Sequence, residues 1–163
     1  MDKGELLAKV IVDLLKTADT FTNSSRSARQ ASIEAPSKME SRYDSTKSEQ
    51  DWLSHELAVA SNEIRQKIAA IREVDLSPSQ TVREGSLVFV GTERDDGDKA
   101  TKEGYFVLPS GSGVVIHEEN FPEVTVITPK SPMGKAIMGM SVGFCGEVKT
   151  PGGIQRVVIE SVE

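Results

Sequence analysis

The chain has 163 residues, enough for one domain or two small ones, with 37% hydrophobic and 5% aromatic residues, a low apolar content for one compact globule. Its formal charge of −6 sets the whole molecule against nucleic acid, so direct sequence-specific DNA or RNA binding needs a local basic face, and no dense one stands out. The single cysteine, Cys145, excludes an intramolecular disulfide and fits a reducing cytoplasm, while no apolar run nears the roughly 20 residues that cross a bilayer.

The N-terminus, Met1-Asp2-Lys3-Gly4-Glu5, places acids ahead of a short apolar stretch, unlike the basic start of a signal peptide. Up to Asp75 the chain has no glycine after Gly4 and one proline, Pro36, whereas the rest holds 12 of the 13 glycines. That shift marks a helical part followed by a strand-and-turn part, with a hairpin over 1–75, a linker over 76–81 and a second domain over 82–163. Leu7, Val10, Leu14 and Ala18 recur at helical spacing, widened by Leu6, Ile11 and Leu15. Leu53, Leu57, Ala60, Ile64, Ile68 and Ile71 form a second stripe. Neither stripe can be buried alone, so the two helices are expected to pack as an antiparallel coiled-coil hairpin.

Pro36 stops the first helix near Ile33, and Ser37-Lys38-Met39-Glu40 has the spacing of a capping box for a second helix from about Lys38 to Arg72. At about 1.5 Å per residue each arm reaches roughly 45–50 Å. Between Asp19 and Gln50 the larger apolar residues are only Phe21, Ile33, Met39 and Tyr43, among many serines and charges. So sparse a stripe reads either as a partly disordered distal portion or as a weakly held finger completed by the partner it enters.

Strands follow at about 86–91, 104–108, 113–117 and 123–128, then a short helix at about 132–138 and a closing pair at 144–150 and 154–162. Pro151-Gly152-Gly153 is the turn between the last two. The fold class is therefore α+β, a helical hairpin followed by a small antiparallel sheet domain with one helix.

The run from Val124 to Gly139 contains Pro129, Ser131, Pro132 and Gly134, and Val142, Gly143 and Pro151-Gly152-Gly153 lie behind it. Ser131 can cap the helix, Pro132 sits where a missing N–H does no harm, and Gly139 can take the left-handed cap. This order and spacing resemble the C-terminal signature of the GreA/GreB transcription elongation factors. The resemblance implies an FK506-binding-protein-like sheet domain that docks on bacterial RNA polymerase near the mouth of its secondary channel, with the hairpin pointing inward. It extends to the hairpin, where Lys38, Tyr43, Lys47 and Gln50 fall on the motif following the Gre tip.

In Gre factors an aspartate and a glutamate at the tip help hold a catalytic magnesium ion inside the polymerase, activating water to cut back-tracked RNA. Aligned on Tyr43, those positions are Pro36 and Met39, and a third acid becomes Arg42. Neither Pro36 nor Met39 offers the side-chain oxygen that a hard cation demands. Glu34, Glu40 and Asp44 are the acids left near the tip, and Glu40 reads more simply as the capping-box residue. The resemblance thus implies a non-enzymatic factor with no cofactor of its own, at most acting through the polymerase's Mg2+. It is compatible with channel occupation, an anti-cleavage competitor or a Rnk-like regulator.

Other chemistry finds little support. His55 and His117 lack a second histidine or cysteine at metal-ligand spacing. Cys145, between Phe144 and Gly146, reads as a buried structural thiol. The run from Leu108 to Gly113 lacks a P-loop lysine and reads as a turn. Two other functions stand beside the Gre reading: an adaptor whose coiled coil binds another protein, and a prolyl isomerase, for whose aromatic-lined pocket the domain has only Phe89, Tyr105, Phe106, Phe121 and Phe144, with no spacing that selects a pocket.

Overall fold

The computed structural model describes residues 2–35, 45–94, 101–117, 122–150 and 153–163. Helix α1 spans Lys3–Glu34 and α2 spans Thr46–Arg72. Strands β1 (Leu87–Arg94), β2 (Thr101–Val107), β3 (Val115–Ile116) and β4 (Val124–Ile127) precede the short helix α3 (Pro132–Ile137). Strands β5 (Cys145–Thr150) and β6 (Gly153–Val162) close the chain. The expected helical hairpin and sheet domain are both formed. One helix boundary differs: Ser45 is not helical, so α2 begins at Thr46 and no single helix runs from Lys38. The proposed Ser37–Glu40 capping box lies outside the described residues.

The chain divides into two compact units, Val12–Ile68 and a second made of Met1–Ile11 with Ala69–Glu163. Within the first, α1 and α2 run antiparallel along a seam that continues past the apolar stripes. Ala18, Ala28 and Ser32 of α1 are buried, as are Ser61, Ile64 and Ile68 of α2. Ser54, Leu57, Ser61, Ile64 and Ile68 recur at alternating steps of three and four, so serines hold seam positions that the sequence reading gave to apolar neighbours. Leu53, expected in the stripe, is instead 39% exposed.

In the second unit the strands form one sheet in the order β3-β4-β2-β1-β6-β5. It is antiparallel except that β2 and β4 run parallel, Gly104 opposite Val124 through Val107 opposite Ile127. The parallel pair arises because β3 lies at the edge and β4 returns between it and β2. On one sheet face Val88, Val90, Val107, Val148, Val157 and Ile159 pack with Met133 and Ile137 of α3. Alternation sends Leu87, Phe89 and Phe106 to the opposite face, where they are also buried.

The segment between α2 and β1 is folded onto this unit. Val82 N–H donates to Met140 O at 2.8 Å, and Thr81 bridges Ser141. Gly85 has φ +89°, and a Cβ there would stand 2.2 Å from Asp75 O, so only glycine fits. Asp75 accepts from Ser77 N–H and Ser77 Oγ, each at 2.9 Å, and pairs with Arg83 Nη1 at 2.8 Å. Those bonds, the Ser77 N–H first, then its hydroxyl and Arg83, hold the Asp75 carboxyl down at about 2.

Candidate functional site

The motif that carries the resemblance is organised around α3. Ser131 is the N-cap: its Oγ accepts from Gly134 N–H at 3.0 Å and donates to Thr128 O at 2.8 Å. Pro132 occupies the first helical turn, where no N–H is needed, and Pro129 is half-buried before it. Gly134 is buried against the end of β4, and a Cβ there would lie 2.0 Å from Thr128 O. Met138 N–H donates to Gly134 O at 2.9 Å, and Gly139 follows with φ +75°, the expected left-handed cap.

Beyond the cap the chain is tied down residue by residue. Gly139 N–H donates to Val82 O at 2.8 Å, and Gly143, at φ +86°, donates to Ile159 O at 2.8 Å. Gly153 opens β6 opposite Thr150, whereas Pro151 and Gly152 lie outside the described residues. Pro129, Ser131, Pro132, Gly134, Gly139 and Gly143 therefore belong to one continuous piece of structure. Cys145 corrects an expectation: it is exposed, not buried, because Val148 sets the parity of β5 and turns residue 145 outward.

At the hairpin, Glu34 ends α1 exposed and accepts from Gln30 Nε2 at 2.6 Å. Pro36, Met39, Glu40 and Asp44 lie outside the described residues. The adjoining seam is hydroxylic. Thr22 Oγ1 and Ser61 Oγ are 2.8 Å apart, and Ser61 Oγ donates to Ala18 O at 2.9 Å. Further along, Ser25 Oγ donates to Ser54 O at 2.7 Å and Ser32 Oγ to Asp51 Oδ1 at 2.5 Å.

One side of this seam opens into a groove of about 640 Å³ whose lining includes Arg26, Arg29, Lys47, His55 and Asp51. Asp51 is the one acid there, and Ser32 already engages it. A groove of this composition can attract anions. No dense basic face stands out in the sequence because these cations are dispersed along the chain. The signal available was the one-turn spacing of Arg26 and Arg29, set against an antiparallel partner helix.

His55 and His117 are exposed, and His117 Nδ1 lies 3.4 Å from Glu123 Oε2. Among the described residues no three His, Cys, Asp or Glu side chains gather to hold a metal, and no helix is long and apolar enough to cross a membrane. The Leu108–Gly113 run is a turn, with Gly113 N–H donating to Val126 O at 3.0 Å.

No family model matches the chain. It is 31% identical over 123 residues to transcription elongation factor GreA of Caulobacter sp. (strain K31), covering 74% of this chain and 69% of that protein. With transcription elongation factor GreA of Bacillus licheniformis it shares 30% identity over 154 residues, 94% of this chain and 81% of that one. The crystal structure of Thermus aquaticus Gfh1 aligns with 96% of this chain and 92% of that chain, at 16% identity and a TM-score of 0.39. So low a TM-score carries no weight in the assignment, which rests on the two sequence relatives. By that similarity, spanning more than two thirds of each GreA, the chain belongs to the GreA family of transcription elongation factors.

Proposed function

We propose that this factor binds bacterial RNA polymerase through its secondary channel and modulates elongation in the cytoplasm without driving RNA cleavage. In this reading residues 82–163 dock near the channel mouth and residues 1–75 point inward. Membership of the GreA family supports the partner. The observation that carries the loss of cleavage is chemical: Pro36 and Met39 stand where the resemblance places two magnesium ligands, and neither has an oxygen to give. That donor set does not fit the ion, so no step is routed through it. Any Mg2+ belongs to the polymerase, and the factor acts by occupying space and charge in the channel.

Two measurements on the full chain test this. The factor is expected to bind core RNA polymerase from its own source at micromolar concentration or better. It is expected to leave the rate of RNA cleavage in a stalled, back-tracked complex at the polymerase's own level. Stimulated cleavage overturns the tip argument, and no binding overturns the polymerase reading in favour of an adaptor with another partner.

A further inference from the structure

We infer that the hairpin groove flanked by Arg26, Arg29 and Lys47 is a binding site for a small oligophosphate anion, its linked phosphates either free or carried on a nucleoside. This goes beyond the polymerase reading and does not depend on it, because every residue of the groove lies within the unit Val12–Ile68.

The first observation is converging charge that the fold leaves unengaged. Arg26 and Arg29 stand one turn apart on α1 and line the same groove as Lys47 and His55 of α2. Arg65, Arg83, Lys102 and Arg156 pair with carboxylates. Among the described residues no carboxylate pairs with Arg26, Arg29 or Lys47, and all three are exposed. Guanidinium groups present paired N–H donors that match phosphate oxygens, and an ammonium adds a point charge. Asp51, the acid of the lining, accepts from Ser32 Oγ at 2.5 Å, which holds one of its oxygens against a buried residue of the seam.

The second observation decides between a small anion and a nucleic-acid strand. Grooves that bind single strands combine a continuous basic track with aromatic platforms for the bases. This lining holds no Phe, Tyr or Trp, and Asp51 interrupts its cations. The net charge of −6 opposes a long polyanion, whereas a compact one answers to the charges within about 10 Å of it. The groove's volume of about 640 Å³ falls in the range of about 300–1,000 Å³ that small ligands occupy. Ile33, 66% exposed, and Ala58 give it an apolar flank on which a sugar or base can rest.

The test is calorimetric titration of the full chain, without polymerase and at low salt, with sodium tripolyphosphate, ATP and a short single-stranded RNA. Tripolyphosphate is expected to bind at sub-millimolar concentration and more tightly than the RNA. ATP binding as well shows that the groove accepts a nucleoside, and tripolyphosphate binding alone shows a site for free phosphates. Arg29→Glu and Lys47→Glu are each expected to weaken tripolyphosphate about tenfold or more, as loss of a charge-assisted bond implies. Asp51→Asn is expected to strengthen it. Lys67→Glu makes the same change of net charge on α2 outside the groove, and is expected to alter affinity less than about threefold. Should either reversal fail a melting check of its fold, Arg29→Gln and Lys47→Gln carry the comparison, again weakening binding more than Lys67→Gln does. Absence of binding by both phosphates overturns the inference, and so does equal weakening by Arg29→Glu and Lys67→Glu. Tighter binding of the RNA, lost in Arg29→Glu, overturns it as well, because the groove is then a track for a strand.

Discussion

Where α1 meets α2 between Ala18 and Ser32, Leu57 is flanked by small and hydroxylated side chains; where α3 meets the sheet, the contacts are Met133 and Ile137 against Val88, Val107, Val157 and Ile159. A hydroxyl bond contributes about 0.5–1.5 kcal/mol net, because water competes for the same groups. A buried valine or isoleucine contributes about 1.5–3 kcal/mol. Small residues let the helices approach closely, yet they leave a seam that opens at low cost. The sheet domain is therefore expected to be the stiffer of the two regions.

The sharpest way to break this comparison is at Gly134. A side chain there collides with Thr128 O, which lies 2.0 Å from where its Cβ stands. Because the clash is with backbone, a side-chain rotation cannot relieve it. Gly134→Val is expected to cost about 3 kcal/mol in denaturant unfolding, at the upper end for overpacking. A loss under about 1 kcal/mol would show that α3 is free to shift, and the rigidity ascribed to the sheet domain would fail.

A matched pair of truncations sharpens it. Ile159→Ala empties a position that is 1% exposed and is expected to cost about 2–5 kcal/mol. Ser61→Ala removes a hydroxyl that is as well buried but is expected to cost only about 1 kcal/mol. Comparable losses would mean that the seam is as cooperative as the core. Hydrogen exchange reads the same contrast without mutation. Amides of residues 22–32 are expected to exchange faster than those of β1 in the free protein and to slow on binding polymerase. Unchanged exchange in the complex would sink the idea of a finger completed by its partner.

How much of this was legible beforehand differs between the same two regions. The seven elements after Asp75 announced themselves through β-branched runs broken by glycine and proline, and each forms within a few residues of its expected span. The α3 motif was readable because Ser131, Pro132 and Gly139 act locally, on their own backbone. Gly134 was visible as part of a motif, but its reason was not, since Thr128 O reaches it only through the packing of α3. In the hairpin a hydrophobic pattern could not find Ser54 and Ser61, because polar residues sit at seam positions. It drew Leu53 and Ala60 into the stripe instead. The parallel pairing of β2 with β4 and the outward turn of Cys145 depend on strand order and parity, which no local pattern encodes.

The smallest expected effect concerns the clamp of Asp75 on Ser77 and Arg83, which lies with the sheet in the rigid region. The carboxylate is held at about 2 by two bonds from Ser77 and one from Arg83, against 3.8 for a free aspartate. A carboxyl lowered in the folded state adds stability above its unfolded value and loses it as pH falls through the folded one. The window therefore lies between about pH 4 and pH 2. The group is open to solvent, so screening keeps the contribution small, and salt diminishes it further. Wild type and Asp75→Asn are expected to unfold at similar denaturant concentrations near pH 2. Their midpoints should separate as pH rises to about 5 and run parallel from there to pH 7. A constant separation from pH 2 to pH 7 would mean that the Asp75 charge does not hold this segment, leaving the fit of Gly85 against Asp75 O and the Val82–Met140 bonds to fix it.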